Sequence, residues 1–345
     1  MKINILYKFK DGAWGGANQF LGALKKELIK NGLYSESPDK ADIIIFNGYP
    51  FQSEYFFYQA YKLKKHTPRK VLILRLDGPI SFYRKRDRDV DKIIAKFNKL
   101  LVDGIIFQSR WSREKNKEHF NVKSANEIVI YNSPDTSVFF KGENALNGKK
   151  KTRILAASWS SNWQKGFDIY KFLDKNLDFE KYEMTFVGNS PIGFTNINHL
   201  APVEQIELAR LIREHDIFIT ASRSDPCSNV VIEALSCGKP VVARNEGGHP
   251  EIARKGGEFF YGHNDVLSAI EKVRSRYNHY QAIVPEFSIA ETTQEYVDFA
   301  RKIIERVELG KYVPKRVEPF SILWFGILQL SVMIWKISKG WKWRR

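Results

Sequence analysis

The chain has 345 residues, 43% of them hydrophobic, enough apolar material for two ordinary cores. Its 55 Lys and Arg outweigh 39 Asp and Glu, and the net charge of +16 directs attention to an anionic partner: nucleic acid, a membrane surface or a phosphorylated small molecule. Cys227 and Cys237, the only cysteines, lie ten residues apart across one predicted helix, which excludes a disulfide framework and a zinc site and fits a reducing cytosol.

In chain order, MKINILY runs directly into a strand pattern with no signal-peptide layout. Short apolar runs at Ile3–Tyr7, Ile43–Phe46, Val71–Leu76, Ile105–Phe107 and Ile128–Tyr131 are separated by helical patterns or loops. The polar stretch Lys141–Lys151 reads as a linker, after which Ile154–Ala157, Met184–Val187, Ile217–Thr220 and Val241–Ala243 resume the rhythm. Buried parallel strands have this signature, and two such series predict two doubly wound α/β domains in tandem. The expected division is 1–148, 149–288, a helix in 289–310 and a tail from 311 to 345. A ligand of such domains belongs in the cleft at the carboxyl ends of their strands.

Ile289–Val307 predicts a helix with Tyr296, Phe299, Ala300, Ile303 and Ile304 on one face. From Lys311 onward eight basic residues accompany one acid, Glu318, so +7 of the charge sits in this tail. Within it, Phe320–Trp335 is uncharged for sixteen residues, shorter than the roughly 20 that a spanning helix needs. Its Trp324 and Trp335, with Trp341, Trp343 and the flanking Lys and Arg, fit an interfacial anchor. A core helix packed on the first domain is the alternative.

The stretch SDPCSNVVIEALSCGKPVVARNEGGHPE (Ser224–Glu251) sets Glu233 among Val230, Val231, Ile232, Ala234 and Leu235. A buried, unpartnered carboxylate is costly, so something polar should meet it. A helix capped by Ser228 or Asn229 and ending near Gly238 puts Glu233 about one turn in, leaning back towards the cleft. There it can accept two hydroxyl hydrogen bonds, as an acid on a ribose does, beside the free N–H groups of Cys227–Val230. Taken alone, Glu233 is equally a solvated residue of a surface helix.

The whole string resembles the donor-site signature of the family 4 retaining glycosyltransferases of the GT-B fold (glycosyl transferases group 1): two acids eight positions apart, here Asp225 and Glu233, then Ser-Cys-Gly-Lys-Pro-Val-Val and Gly247-Gly248-His249-Pro250-Glu251. Asp225 stands where the family usually has Glu. The resemblance implies that Glu233 binds the ribose of a nucleotide sugar, and that Asp225 with the amides of Cys227, Ser228 and Asn229 meets the donor sugar. Trp14–Leu28 is similar to the family's Gly-rich turn, with Gly15 and Gly16 allowing close approach to donor phosphate or acceptor. Val129–Phe139 resembles a segment at the end of the family's first domain, with Ser133 replacing a Gly.

Ala156–Tyr170 resembles the family's phosphate-binding turn, which makes Ser160, Asn162 and Lys165 donor-binding candidates, with Lys165 on the diphosphate. The Arg usual five positions before this Lys is absent; Ser160 stands there, and Arg223 or Arg244 is the candidate replacement. In Leu72–Asp89, Asp77 takes the place where family members carry a His or Asp facing the transferred sugar, with Arg75 a candidate acceptor or phosphate contact. Asp77-Gly78 is equally ordinary turn chemistry. Asp87-Arg88-Asp89 reads as surface, and no metal site or cofactor is expected.

Two basic clusters, Lys62, Lys64, Lys65, Arg69 and Lys70 after an aromatic helix, and Arg84, Lys85, Arg86 and Arg88, suit an anionic membrane and a lipid-phosphate acceptor. A packed helix with a solvated basic end is the plainer alternative. The expectation is therefore a metal-independent retaining glycosyltransferase, cytoplasmic and peripheral at the inner face of the membrane. It would use a nucleotide sugar and a glycan or lipid-phosphate-linked acceptor, and no nucleic acid. A sugar-nucleotide epimerase of the same fold, or a basic membrane- or nucleic-acid-binding protein without catalysis, stays open.

Overall fold

The computed structural model describes all residues except 13–14, 49–53, 143–150, 322, 325, 328–329, 331–333 and 335–345. Most of the expected linker, and Leu328, Trp335, Trp341 and Trp343 of the tail, lie outside the described residues.

The first parallel sheet contains β1 (Ile3–Leu6), β2 (Ile43–Asn47), β3 (Val71–Leu76), β4 (Gly104–Phe107) and β5 (Glu127–Val129) in that spatial order. Its helices are α1 (Gly16–Lys30), α2 (Glu54–His66), α3 (Ile80–Arg84), α4 (Arg88–Leu101) and α5 (Arg110–Phe120). On its outer edge β1 also bridges Tyr34, so the chain winds to one side of β1 through α1 and then to the other through β2. The apolar runs are buried on both faces, which is why β1 to β4 read as continuous rather than alternating.

The second sheet has the order β11-β10-β9-β6-β7-β8, all parallel. Its strands are β6 (Thr152–Ser158), β7 (Tyr182–Gly188), β8 (Asn198–Leu200), β9 (Ile217–Thr220), β10 (Val241–Arg244) and β11 (Gly257–Phe260). The helices are α6 (Phe167–Asn176), α7 (Gln205–Glu214), α8 (Asn229–Ser236), α9 (His249–Ala253), α10 (His263–Ser275) and α11 (Tyr277–Ala282). The winding reverses between β6 and β9, and a ligand crevice is expected beyond the carboxyl ends of those two strands.

The last long helix, α12 (Ile289–Glu308), leaves the second sheet and packs on the first. Ser288 caps it by accepting the Glu291 N–H at 3.2 Å. Tyr296, Phe299, Ala300 and Ile303, the expected stripe, join Phe20, Leu21 and Leu24 of α1 in one core face. Beyond it, residues 312–318 cross the opposite side: Tyr312 Oη and the Lys315 N–H both donate to Asp103 Oδ1, at 3.0 and 2.8 Å. Helical geometry resumes at 319. Trp324 packs against the first core, while Phe320, Leu323, Ile327, Leu330 and Ile334 point outward, 55–86% exposed. The apolar residues of this segment thus divide between two faces, with Trp324 turned inward. No described helix is long and apolar enough to cross a membrane.

The first basic cluster is corrected at two of its five residues, while Lys62, Lys65 and Arg69 stay exposed. Lys64 is fully buried on Asp103, and burial pulls its ammonium below the usual lysine range despite that carboxylate. Lys70 is buried on the carbonyls of Pro38 and Asp39, at 2.9 and 3.0 Å, and of Ala41. These two cations hold the domain together from inside, as a packed helix demands.

Candidate functional site

A cavity of about 420 Å³ lies between the sheets at the carboxyl ends of β3, β6 and β9. Its walls include Gly15, Gly16, Arg75, Asp77, Ser160, Asn162, Lys165, Arg223, Asp225, Cys227, Ser228, Asn229 and Glu233, which are the site residues expected from the sequence apart from the alternative cation Arg244.

The second-domain wall begins at the turn after β6. Asn162 Oδ1 accepts the Gln164 N–H at 3.0 Å, forming a single turn of 3₁₀ helix, Trp163–Lys165. Gly166 then takes φ +84°, and a Cβ there would lie 2.2 Å from the Ala221 carbonyl oxygen, so only glycine lets this turn seat on the end of β9. Lys165 is thereby aimed at Asp225, Nζ to Oδ2 2.9 Å, with about a third of its side chain open to the cavity. Burial raises the Asp225 pKa, but Lys165, His249 and the Cys227 N–H outweigh it and hold the carboxyl below the usual range. One of the amides expected to meet an anion, that of Cys227, is therefore engaged by Asp225. The Cys227 thiol is pushed up to about 12 by burial and stays protonated.

Glu233 lies in the second turn of α8, whose backbone ends at Cys237 before Gly238 in the left-handed region, φ +75°. Ser228 occupies the N-cap position without a side-chain capping bond. Glu233 is 7% exposed and faces the cavity, with no carboxylate hydrogen bond among the described residues. Burial alone raises its pKa to about 7.

The Gly247–Gly248 turn approaches the chain itself rather than a ligand: the Gly248 N–H donates to the Asp225 carbonyl at 2.8 Å. Pro250 is the second residue of α9. Of the two candidates for the missing cation, Arg223 lines the cavity and pairs with Asp168 at 2.8 Å, whereas Arg244 is buried on Glu246 at 3.4 Å and is not part of the wall.

On the first-domain wall, Arg75 is committed inside the protein. Its Nη1 donates to Asn47 Oδ1 at 2.6 Å, its Nη2 to Asn132 Oδ1 at 2.9 Å, and the guanidinium stacks 4.8 Å from the Phe20 ring. Asp77 Oδ1 lies 3.6 Å from its Nη1. Asp77 opens 34% into the cleft. Burial raises its pKa; Arg75 and then Arg84 lower it, Asp225 raises it, and the net is upward. The cleft therefore sets two carboxyl groups apart, Asp77 pushed up and Asp225 held down. Gly16, at the start of α1, is where the walls nearly touch: a Cβ would sit 2.0 Å from Asn229 Nδ2. Asn229 is held in turn by Asn132, Nδ2 to Oδ1 2.9 Å.

Several wall and support residues escaped the sequence reading. Asn132 and Gln108 form the polar seam between the domains, and Tyr83 lines the first-domain rim beside Arg84 of the second basic cluster. Pro202, Val203 and Gln205 close the far end. Among the described residues no group of three or more His, Cys, Asp or Glu is placed to hold a metal ion.

Two facing Rossmann-like domains with the cavity at their strand ends form the GT-B architecture, and solved structures agree. Sucrose-phosphate synthase from Thermosynechococcus elongatus covers 90% of this chain, and is itself 98% covered, at TM-score 0.63 and 14% identity. Anabaena HepE in complex with UDP and glucose covers 87%, and is itself 99% covered, at TM-score 0.66 and 15% identity. Residues 173–279 match the family model described as glycosyl transferases group 1. Spore coat protein SA of Bacillus subtilis is 31% identical over 268 residues, 64% of this chain and 68% of that protein. A probable sucrose-phosphate synthase of Thermosipho melanesiensis is 24% identical over 184 residues, 50% of this chain but only 43% of that protein's length. The chain belongs to the glycosyl transferases group 1 family.

Proposed function

We propose that this protein is a retaining glycosyltransferase that moves a sugar from a nucleotide sugar to a glycan or lipid-phosphate-linked acceptor, in polysaccharide or glycoconjugate synthesis. The observation that carries the reading is Glu233: a buried carboxylate without a hydrogen-bond partner among the described residues, opening into the cavity that holds the Lys165–Asp225 pair. Ribose hydroxyls satisfy the carboxylate, and Lys165 with the N–H groups at the start of α8 receives the diphosphate. Asp77 faces the transferred sugar from the other wall. The bond from the anomeric carbon to the phosphate oxygen breaks, the acceptor oxygen bonds to that carbon and loses its proton, and a nucleoside diphosphate leaves. HepE, whose structures contain UDP-glucose or UDP, supports a donor of this class. No step requires a metal ion.

A thermal-shift panel of UDP, GDP, ADP and CMP tests the reading: one of them should raise the melting temperature, and no shift with any would oppose it. Glu233→Ala should weaken nucleoside binding by roughly ten- to a hundredfold, the loss of a charge-assisted hydrogen bond worth about 1.5–3 kcal/mol. The pH dependence has a definite sign. With the free carboxyl titrating near 7 and ribose hydroxyls preferring the anion, binding releases a proton. Affinity should therefore be flat above that pH and fall about tenfold per unit below it. Glu233→Gln should flatten the curve in a calorimetric titration; an unchanged slope would remove Glu233 from the site.

The protein works, in this reading, on the cytoplasmic side and peripherally on an anionic membrane. Phe320, Leu323, Ile327, Leu330 and Ile334 form an outward apolar stripe at spacings of three and four, next to a segment rich in Lys and Arg. The full chain should sediment with phosphatidylglycerol vesicles, and salt should reverse this only in part, because the apolar contribution is unscreened. A chain ending at Glu318 keeps Tyr312 and Lys315 on Asp103 and should stay folded, bind donor and ignore the vesicles. If that shortened chain still sediments with them, the stripe is not the anchor.

A further inference from the structure

We propose that Glu251 is a positioning residue: it fixes the spacing of the two domains and thereby the place of the Asp77 loop over the donor site. Glu251 belongs to α9 of the second domain, yet its carboxylate is spent on the first. Oε2 accepts the Arg110 N–H and Oε1 the Trp111 N–H, both at 2.9 Å, and the Tyr131 hydroxyl donates to Oε2 at 2.7 Å. Arg110 and Trp111 are the first residues of α5, whose leading N–H groups have no acceptor within the helix. The helix's own cap, Ser109, serves a different amide, that of Ser112, at 3.0 Å. A carboxylate at this end is favoured by the charge-assisted bonds and by the helix dipole together. Burial and then Glu251 itself raise the Tyr131 pKa, so the phenol remains a donor.

The same helix carries the Asp77 loop. Asn116 Nδ2 donates to the Asp77 carbonyl at 2.9 Å and Ser112 Oγ to the Leu76 carbonyl at 3.3 Å. The Trp111 ring fills the space left by Gly78, where a Cβ would come within 2.5 Å of it. On the other side, α9 follows its N-cap residue Gly248, whose N–H donates to the Asp225 carbonyl. One run of contacts thus leads from Asp225 through α9 and Glu251 to α5 and Asp77, joining the two carboxyl groups that face each other across the cleft. Glu251, Tyr131 and Trp111 are not part of the cavity wall, so Glu251 acts through other residues.

The full chain is compared with Glu251→Gln and Glu251→Ala. The measurements are steady-state transfer, titration with the nucleotide that binds tightest among UDP, GDP, ADP and CMP, melting temperature, and small-angle scattering of the ligand-free protein. In Glu251→Ala, turnover should fall by roughly ten- to a hundredfold, as a misplacement of about 1 Å does. Nucleotide affinity should hold, because its contacts lie on the second domain, and the radius of gyration should grow. Glu251→Gln, which keeps one acceptor oxygen, should fall between. Unchanged turnover, unchanged scattering, or a loss of nucleotide affinity as large as that of turnover would each overturn the proposal. The kinetic measurement rests on the glycosyltransferase reading and the scattering does not: if the parent chain transfers no sugar, that reading fails while the radius of gyration still decides the spacing.

Discussion

Lys165→Ala should weaken a nucleoside diphosphate strongly while leaving the bare nucleoside nearly unaffected, and should lower turnover by about 10²- to 10³-fold, as removal of a donor to developing negative charge does. The ammonium is held at 2.9 Å from Asp225 and is the one lysine among the described residues of the cavity wall. Its removal acts twice. The diphosphate loses its nearest cation, and Asp225, a carboxyl kept below the usual range largely by Lys165, is left charged beside the incoming anion. Removing Asp225 as well should therefore recover part of the lost affinity, so Lys165→Ala with Asp225→Asn should bind the diphosphate better than Lys165→Ala alone. Calorimetric titration with nucleoside and nucleoside diphosphate separates the effects. An equal loss for both ligands would place Lys165 away from the phosphates.

Asp77→Asn should spare donor binding and depress transfer by about 10²- to 10³-fold, the scale of losing a preorganised polar contact made to the reacting sugar. The change keeps shape and removes charge. It also keeps the backbone bond from Asn116 to the residue-77 carbonyl, so the turn survives and lost activity cannot be ascribed to it. Arg75, pinned by Asn47 and Asn132, holds the side chain from behind, which gives Asp77 a fixed place opposite Asp225. Full transfer by Asp77→Asn, measured at saturating donor, would reduce Asp77 to a residue that shapes its loop.

The buried central strands were the legible part of the fold. Val71–Leu76 and Ile217–Thr220 carry unbroken apolar runs because both faces are covered, and their observed limits match the reading. The edge strands β8 and β11 were missed for the converse reason: Asn198–Leu200 is largely exposed, and Gly257–Phe260 shows only two adjacent aromatics. In the site, residues on one local segment were readable, such as Asp225 and Glu233 flanking the start of α8. Contacts between distant segments were not. Nothing local in Glu251 or Tyr131 reveals that they meet 120 residues apart, and nothing in Lys64 distinguishes a cation bound inside the domain from one on its surface. The missing arginine before Lys165 was visible as Ser160, but only the fold shows that Arg223 reaches the cavity and Arg244 does not.

The most direct measurement of the central claim is incubation of the full chain with UDP-, GDP-, ADP- and CMP-sugars, following free nucleotide and the sugar together. The expected result is release of nucleoside diphosphate from one of these donors, accelerated by a glycan or lipid-phosphate acceptor, with the sugar appearing on that acceptor and release largely lost in Lys165→Ala. Epimerised sugar still attached to its nucleotide, or no turnover of any donor, would contradict it.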